Sequence, residues 1–132
     1  MTGAFLMGPA SAIAPHEMLR YRATARRRAT QRQEALAARR QTAWETARRA
    51  AALLKADYGV DRVALFGSLA RDEPFSPHSD IDLAVWGLDE RIYYRVVSRL
   101  LDIEPSLSID LLRAEALSAD LLHMVETTGI ML

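Results

Sequence analysis

The sequence of 132 residues has no cysteine, only three histidines and an aromatic content of 7%. Without thiols there can be no disulfide, no thiolate metal site and no cysteine nucleophile. The compartment is left unread, and the cytoplasm is the default expectation. Glycine and proline are also scarce, six and five residues, and none lies between His16 and Asp57. Long apolar runs are missing as well. The longest nearly uncharged stretch, residues 1–15, is broken by Gly3, Gly8 and Pro9 and lacks a basic start, which argues against a membrane span and a secretory signal. These fifteen residues read as a flexible leader. The length fits one domain, without room for a separate substrate domain.

Net charge is absent too, with 17 basic and 17 acidic residues, but the balance is uneven along the chain. Residues 1–57 hold eleven basic and four acidic side chains, a surplus of seven positive charges, and residues 58–132 carry the opposite surplus. From His16 to Asp57 good helix formers dominate, so one long Arg/Ala-rich helix, or two, is expected over 16–57. Its second half carries an apolar stripe at Leu36, Ala43, Ala47, Ala50, Leu54 and Tyr58, spaced near the helical period and fit to pack on a core. The first half offers little to bury beyond Leu19 and Tyr21.

Residues 58–132 are expected to form the core. Gly59 suits a helix stop, and Val63–Phe66 is a short uncharged run of strand length. A turn-rich stretch with Pro74 and Pro77 follows, then a second strand over Ile81–Trp86. A helix opens at Asp89 or Glu90 and ends before Pro105. A third strand covers Ser108–Leu112, a last helix about Glu115–Glu126 ends at Gly129, and Ile130–Leu132 can close the sheet. The order predicts an α/β fold, a small mixed sheet of three or four strands flanked by helices.

The residues that carry chemistry sit at strand ends. Asp80 and Asp82 share one strand face while Ile81, Leu83 and Val85 point to the other. Two carboxylates on one face are either solvated or hold a cation. Hard oxygen ligands without His or Cys suit Mg²⁺, which takes one or two carboxylates and completes its shell with water and phosphate oxygens. Asp110 repeats the pattern on the third strand. The 28 residues from Asp82 to Asp110 suffice for a crossover helix, so these strands can be neighbours with all three acids on one face. Gly67-Ser68 supplies backbone freedom and a hydroxyl, as a phosphate-binding turn requires. A phosphate turn with an acid pair and a third acid points to metal-dependent phosphoryl or nucleotidyl transfer.

In this order Leu65-Phe66-Gly67-Ser68-Leu69-Ala70-Arg71, Ser79-Asp80-Ile81-Asp82-Leu83 and Ile109-Asp110-Leu111 resemble the nucleotidyltransferase superfamily. At this size the chain is similar to a minimal nucleotidyltransferase, the antitoxin partner of HEPN-type toxins. That resemblance implies a nucleotidyltransferase-type sheet over about residues 45–132 and transfer of AMP from ATP to a hydroxyl, a tyrosine, of the toxin. It also implies two Mg²⁺ ions held by Asp80, Asp82 and Asp110, with Gly67 and Ser68 on the phosphates. Arg71 is a further candidate for phosphate contact, though an exposed turn arginine fits equally. Two departures stand out. Asp72 replaces the family's usual glycine after Ala-Arg, and eleven residues separate Ser68 from Asp80, one more than is usual. A negative charge at position 72 is expected to weaken nucleotide binding or activity.

Alternatives to an enzyme are a stoichiometric toxin binder with weak or no catalysis, and, further off, transfer of a nucleotide to a small molecule of the aminoglycoside type. His78 is near the acid pair and is read as solvated, and Trp86, Tyr93 and Tyr94 as core or interface aromatics. The basic helix is read as a solvated face or as an arm that docks an acidic toxin or a second subunit. Nucleic acid is not expected, because no groove-reading motif or interleaved aromatic set accompanies the arginines. No membrane partner is expected either.

Overall fold

A computed structural model describes residues 14–132. All of the expected leader except its last two residues lies outside the described residues. Helix α1, Pro15–Tyr58, is one helix of 44 residues, with Pro15 in the first turn, where its missing N–H costs nothing. It ends as expected. Gly59 takes φ +63°, the left-handed conformation that glycine adopts without penalty.

The chain divides into two compact units, residues 1–35 and 36–132. In the described part of the first, the arginines are exposed, as are Leu19 and Tyr21. Ala23, Thr24 and Ala29 are half-buried.

The second unit follows α1 with β1 (Arg62–Phe66), the short helix α2 (Gly67–Ala70) and β2 (Ile81–Trp86). A 3-10 turn, Glu90–Ile92, leads into α3 (Tyr93–Leu101), followed by β3 (Ile109–Arg113), α4 (Ala119–Thr128) and β4 (Ile130–Met131). The strands form one four-stranded mixed sheet in the order β3-β2-β1-β4. β2 runs antiparallel to β1 and parallel to β3. This topology brings the end of β1 and the starts of β2 and β3 to one edge of the sheet.

Alternation along the strands sorts the core onto two faces. Val63, Leu65, Ile81, Leu83, Val85, Ile109 and Leu111 share one cluster with α1 residues Ala43, Ala47, Ala50, Ala51 and Leu54 and with Val96 and Leu100 of α3. The small alanines let the helix backbone lie close to the sheet. Leu36, expected on the buried stripe, is instead exposed, because the buried face starts about two turns later, at Ala43. On the opposite face Ala64, Phe66 and Ala84 pack with Val125 of α4. The last helix begins later than expected. Residues Ala114–Ala116 form a separate 3-10 turn, and α4 starts after Ser118, whose hydroxyl accepts the Leu121 N–H at 3.2 Å. Gly129 ends α4 with an extended backbone, and a Cβ there would run into the Val125 carbonyl and lie 3.2 Å from that of Leu65. Glycine is needed at this position for close approach, not for handedness.

Candidate active site

Phe66 pairs with Asp82 across the antiparallel β1–β2 ladder, and Asp82 pairs with Asp110 across the parallel β2–β3 ladder. By alternation Asp82 and Asp110 share the face of Ala84 and Leu112. Asp80 lies just before β2 and is exposed, as is Asp110, whereas Asp82 is half-buried. The three acids are therefore neighbours at one edge of the sheet, as the strand pattern predicts.

Gly67 and Ser68 open α2 directly after β1, and Gly67 has φ +77°. The missing side chain is occupied by a functional group. A Cβ at Gly67 would collide with a carboxylate oxygen of Asp82 and stand 3.1 Å from its Cγ. The Gly-Ser turn and the acid pair, 13 and 15 residues apart in sequence terms that hide the contact, form one packed unit. Ser68 is half-buried beside it.

The electrostatics of the acids follow from this packing. Burial, then the charge of Asp110, then that of Asp80, push the Asp82 carboxyl from its ordinary 3.8 up to about 6, with Arg71 pulling the other way. Burial and the same Asp110 charge raise the Tyr93 phenol, whose hydroxyl donates to the Leu111 carbonyl. A half-buried carboxyl repelled by two others is the environment that a bound cation would relieve. Among the described residues, no three His, Cys, Asp or Glu side chains close into a complete cation site. The donor set fits Mg²⁺, which needs only one or two protein carboxylates when phosphate oxygens supply the rest. It does not fit a zinc-type cage.

Arg71 is the one candidate already engaged. Its Nε donates to Glu73 at 2.9 Å, and its charge still reaches Asp82. Asp72 takes φ +59°, the conformation in which the family's usual glycine is at ease, and its carboxylate pairs with Arg40 at 2.9 Å. Its charge thus has a partner on α1. His78 is exposed, as read from the sequence, and Trp86 is half-buried beneath the Arg62 guanidinium, 4.3 Å from the ring centroid. Sequence reasoning missed Arg39 and Arg40, which reach the segment between Ser68 and Asp80. One signal was available: Arg40 lies three and seven residues before Ala43 and Ala47, on the face that becomes buried.

Two of the three acids, Asp80 and Asp110, are exposed to solvent. Beyond Asp110 on the same strand is a groove of about 410 Å³, lined by Tyr93, Tyr94, Leu112, Arg113 and Leu117 among others.

A glycine-serine turn packed against strand-borne carboxylates, on a small mixed sheet backed by helices, defines the nucleotidyltransferase class of α/β protein. The comparisons agree with this. The family described as "Polymerase beta, Nucleotidyltransferase" matches residues 49–132, and the chain belongs to that family. No curated protein matches it significantly. A crystal structure of a toxin–antitoxin with AMP-PNP is similar at 25% identity and a TM-score of 0.53, over 63% of this chain and 69% of that one. A structure of the tri-AMPylated Shewanella oneidensis HEPN toxin in complex with MNT antitoxin is similar in fold, at 24% identity and a TM-score of 0.51, over 67% of this chain and 70% of that one. Among the described residues no helix is long and apolar enough to cross a membrane.

Proposed function

We propose that the chain is a Mg²⁺-dependent nucleotidyltransferase that moves AMP from ATP to a hydroxyl, a tyrosine, of a HEPN-type toxin and so acts as an antitoxin. The observation that carries this reading is the packing of Gly67 against Asp82, with Asp110 beside Asp82 on the next strand. The transfer core is residues 58–132, and 16–57 form its basic helix. Ser68 and the amides that open α2 hold the triphosphate, and Asp80, Asp82 and Asp110 are the carboxylates that would hold Mg²⁺, two ions in all. When bound, the metal would offset the charge of the phosphates and of the leaving pyrophosphate. Asp110, exposed next to Asp82, would help to activate the incoming hydroxyl. The open acid face suits a protein acceptor better than a small molecule, which needs enclosing walls.

The test is transfer of label from ATP to the product of the neighbouring gene. Transfer with Mg²⁺ that is lost in Asp82→Asn supports the reading, and no transfer, or transfer indifferent to Asp82, overturns it. A second reading, stoichiometric capture of the toxin without catalysis, is favoured by the pairing of Arg71, a candidate phosphate contact, with Glu73. Full protection of cells by the Asp80→Asn, Asp82→Asn double variant would select it. In both readings the exposed basic helix is an arm for the toxin or for a second subunit, and the protein works in the cytoplasm.

A further inference from the structure

Between Ser68 and Asp80 the chain must turn back from β1 to β2, and both ends of this segment carry site residues. Four peptide carbonyls and one carboxylate in it are taken up by two adjacent arginines of α1. Arg40 donates to the Leu69 carbonyl at 2.9 Å and to the Glu73 carbonyl at 3.0 Å, and pairs with Asp72 at 2.9 Å. Arg39 donates to the Pro77 carbonyl at 3.1 Å and to the Ser76 carbonyl at 3.4 Å, and its guanidinium lies 5.6 Å from the ring centroid of the buried Phe75. The Leu69 carbonyl belongs to α2, the short helix that Gly67 and Ser68 open. A helix of four residues cannot satisfy its own C-terminal carbonyls, and the Arg40 fork does so from outside.

We infer that Arg40 is a positioning residue for the nucleotide. It fastens α2 and the left-handed Asp72 turn to α1, and so fixes Ser68 and the α2 amides relative to Asp82. The turn amides report this directly, since Arg71 N–H bonds the Gly67 carbonyl at 3.1 Å and Glu73 N–H the Ser68 carbonyl at 3.1 Å. A planar fork that spans two carbonyls and a carboxylate cannot be replaced by an ammonium group, which offers a single point of charge. The role rests on the nucleotidyl-transfer reading, but the hold on the turn does not.

The experiment is amide hydrogen exchange on the full chain, with Arg40→Lys and Arg40→Ala beside the wild type and peptides over 67–77 and 109–113 followed. Exchange at Arg71 and Glu73 should rise about tenfold, the value of one charge-assisted hydrogen bond, while 109–113 is unchanged. In the transfer assay the KM for ATP should rise by about the same factor with kcat within about twofold, since a fixed turn binds phosphate equally before and during reaction. Unchanged exchange over 67–77, equal acceleration over 109–113, or a fall in kcat at constant KM would each overturn the inference. A wild type that transfers nothing would refute the proposed function alone, because the exchange result would still decide whether Arg40 holds the turn.

Discussion

Replacing Asp82 by asparagine should stabilise the cation-free protein while abolishing transfer. Asp82 is half-buried, and its carboxyl is pushed up to about 6 by burial and by Asp110 and Asp80. The folded state thus holds this proton more tightly than the unfolded chain does. The stabilisation that Asp82 contributes is complete below the ordinary carboxylate value of 3.8 and is lost as pH rises through about 6. At full weight the rise from 3.8 to about 6 corresponds to about 3 kcal/mol, which solvent screening at a half-buried group reduces to about 1 kcal/mol. Asparagine has the same shape and stays neutral, and should therefore match the wild type near pH 4 and exceed it by about 1 kcal/mol, or about 4 °C in Tm, above pH 7. Thermal melts in chelator at several pH values would measure the difference between the two proteins, so other titrating groups cancel. Millimolar Mg²⁺ at pH 7.5 should then raise the wild-type Tm and close the gap. An asparagine variant less stable than wild type at pH 7.5, or a gap that does not change between pH 4 and 7.5, would refute the electrostatic account of the site.

Other predictions follow from packing. Gly67→Ala should cost about 1–2 kcal/mol for the left-handed backbone alone, with a further penalty from the collision with Asp82, and urea melts together with ATP titration should record lower stability and lost binding. Asp72→Gly should change stability by less than about 0.5 kcal/mol in the same melts, because relief of the φ +59° conformation offsets loss of the exposed pair with Arg40. Leu54→Ala, at a site with 0% exposure, should lose about 2–5 kcal/mol in urea. Reversing Arg22, Arg26 and Arg28 to glutamate should leave the urea midpoint in place and weaken toxin binding at least about tenfold by calorimetry, and unchanged binding would remove the arm from the interface.

Much of this was legible in the chain. Strand β2 follows from the alternation through Ile81–Trp86, and the juxtaposition of Asp82 with Asp110 follows from a gap long enough for a crossover helix. Such features are local or periodic. The start of α4 was less visible, since Glu115 and Ala116 are good helix formers, and only the Ser118 cap decides against them. Arg39 and Arg40 were hidden for a different reason. In a helix rich in arginine the spacing to Ala43 and Ala47 shows which side chains lie toward the buried face, but nothing local says that they reach carbonyls 38 and 29 residues away. The partner of Asp72, read from the sequence as a charge near phosphate, comes from that same helix.

Because the void beside Gly67 is filled by the Asp82 carboxylate, the two positions constrain one another. A descendant that lost the acid would gain room at residue 67, leaving only the backbone conformation to oppose a side chain. One that kept the acid could not drift there at all. A side chain at residue 67 and a carboxylate at residue 82 thus compete for one space, and a change at either position sets what the other can hold.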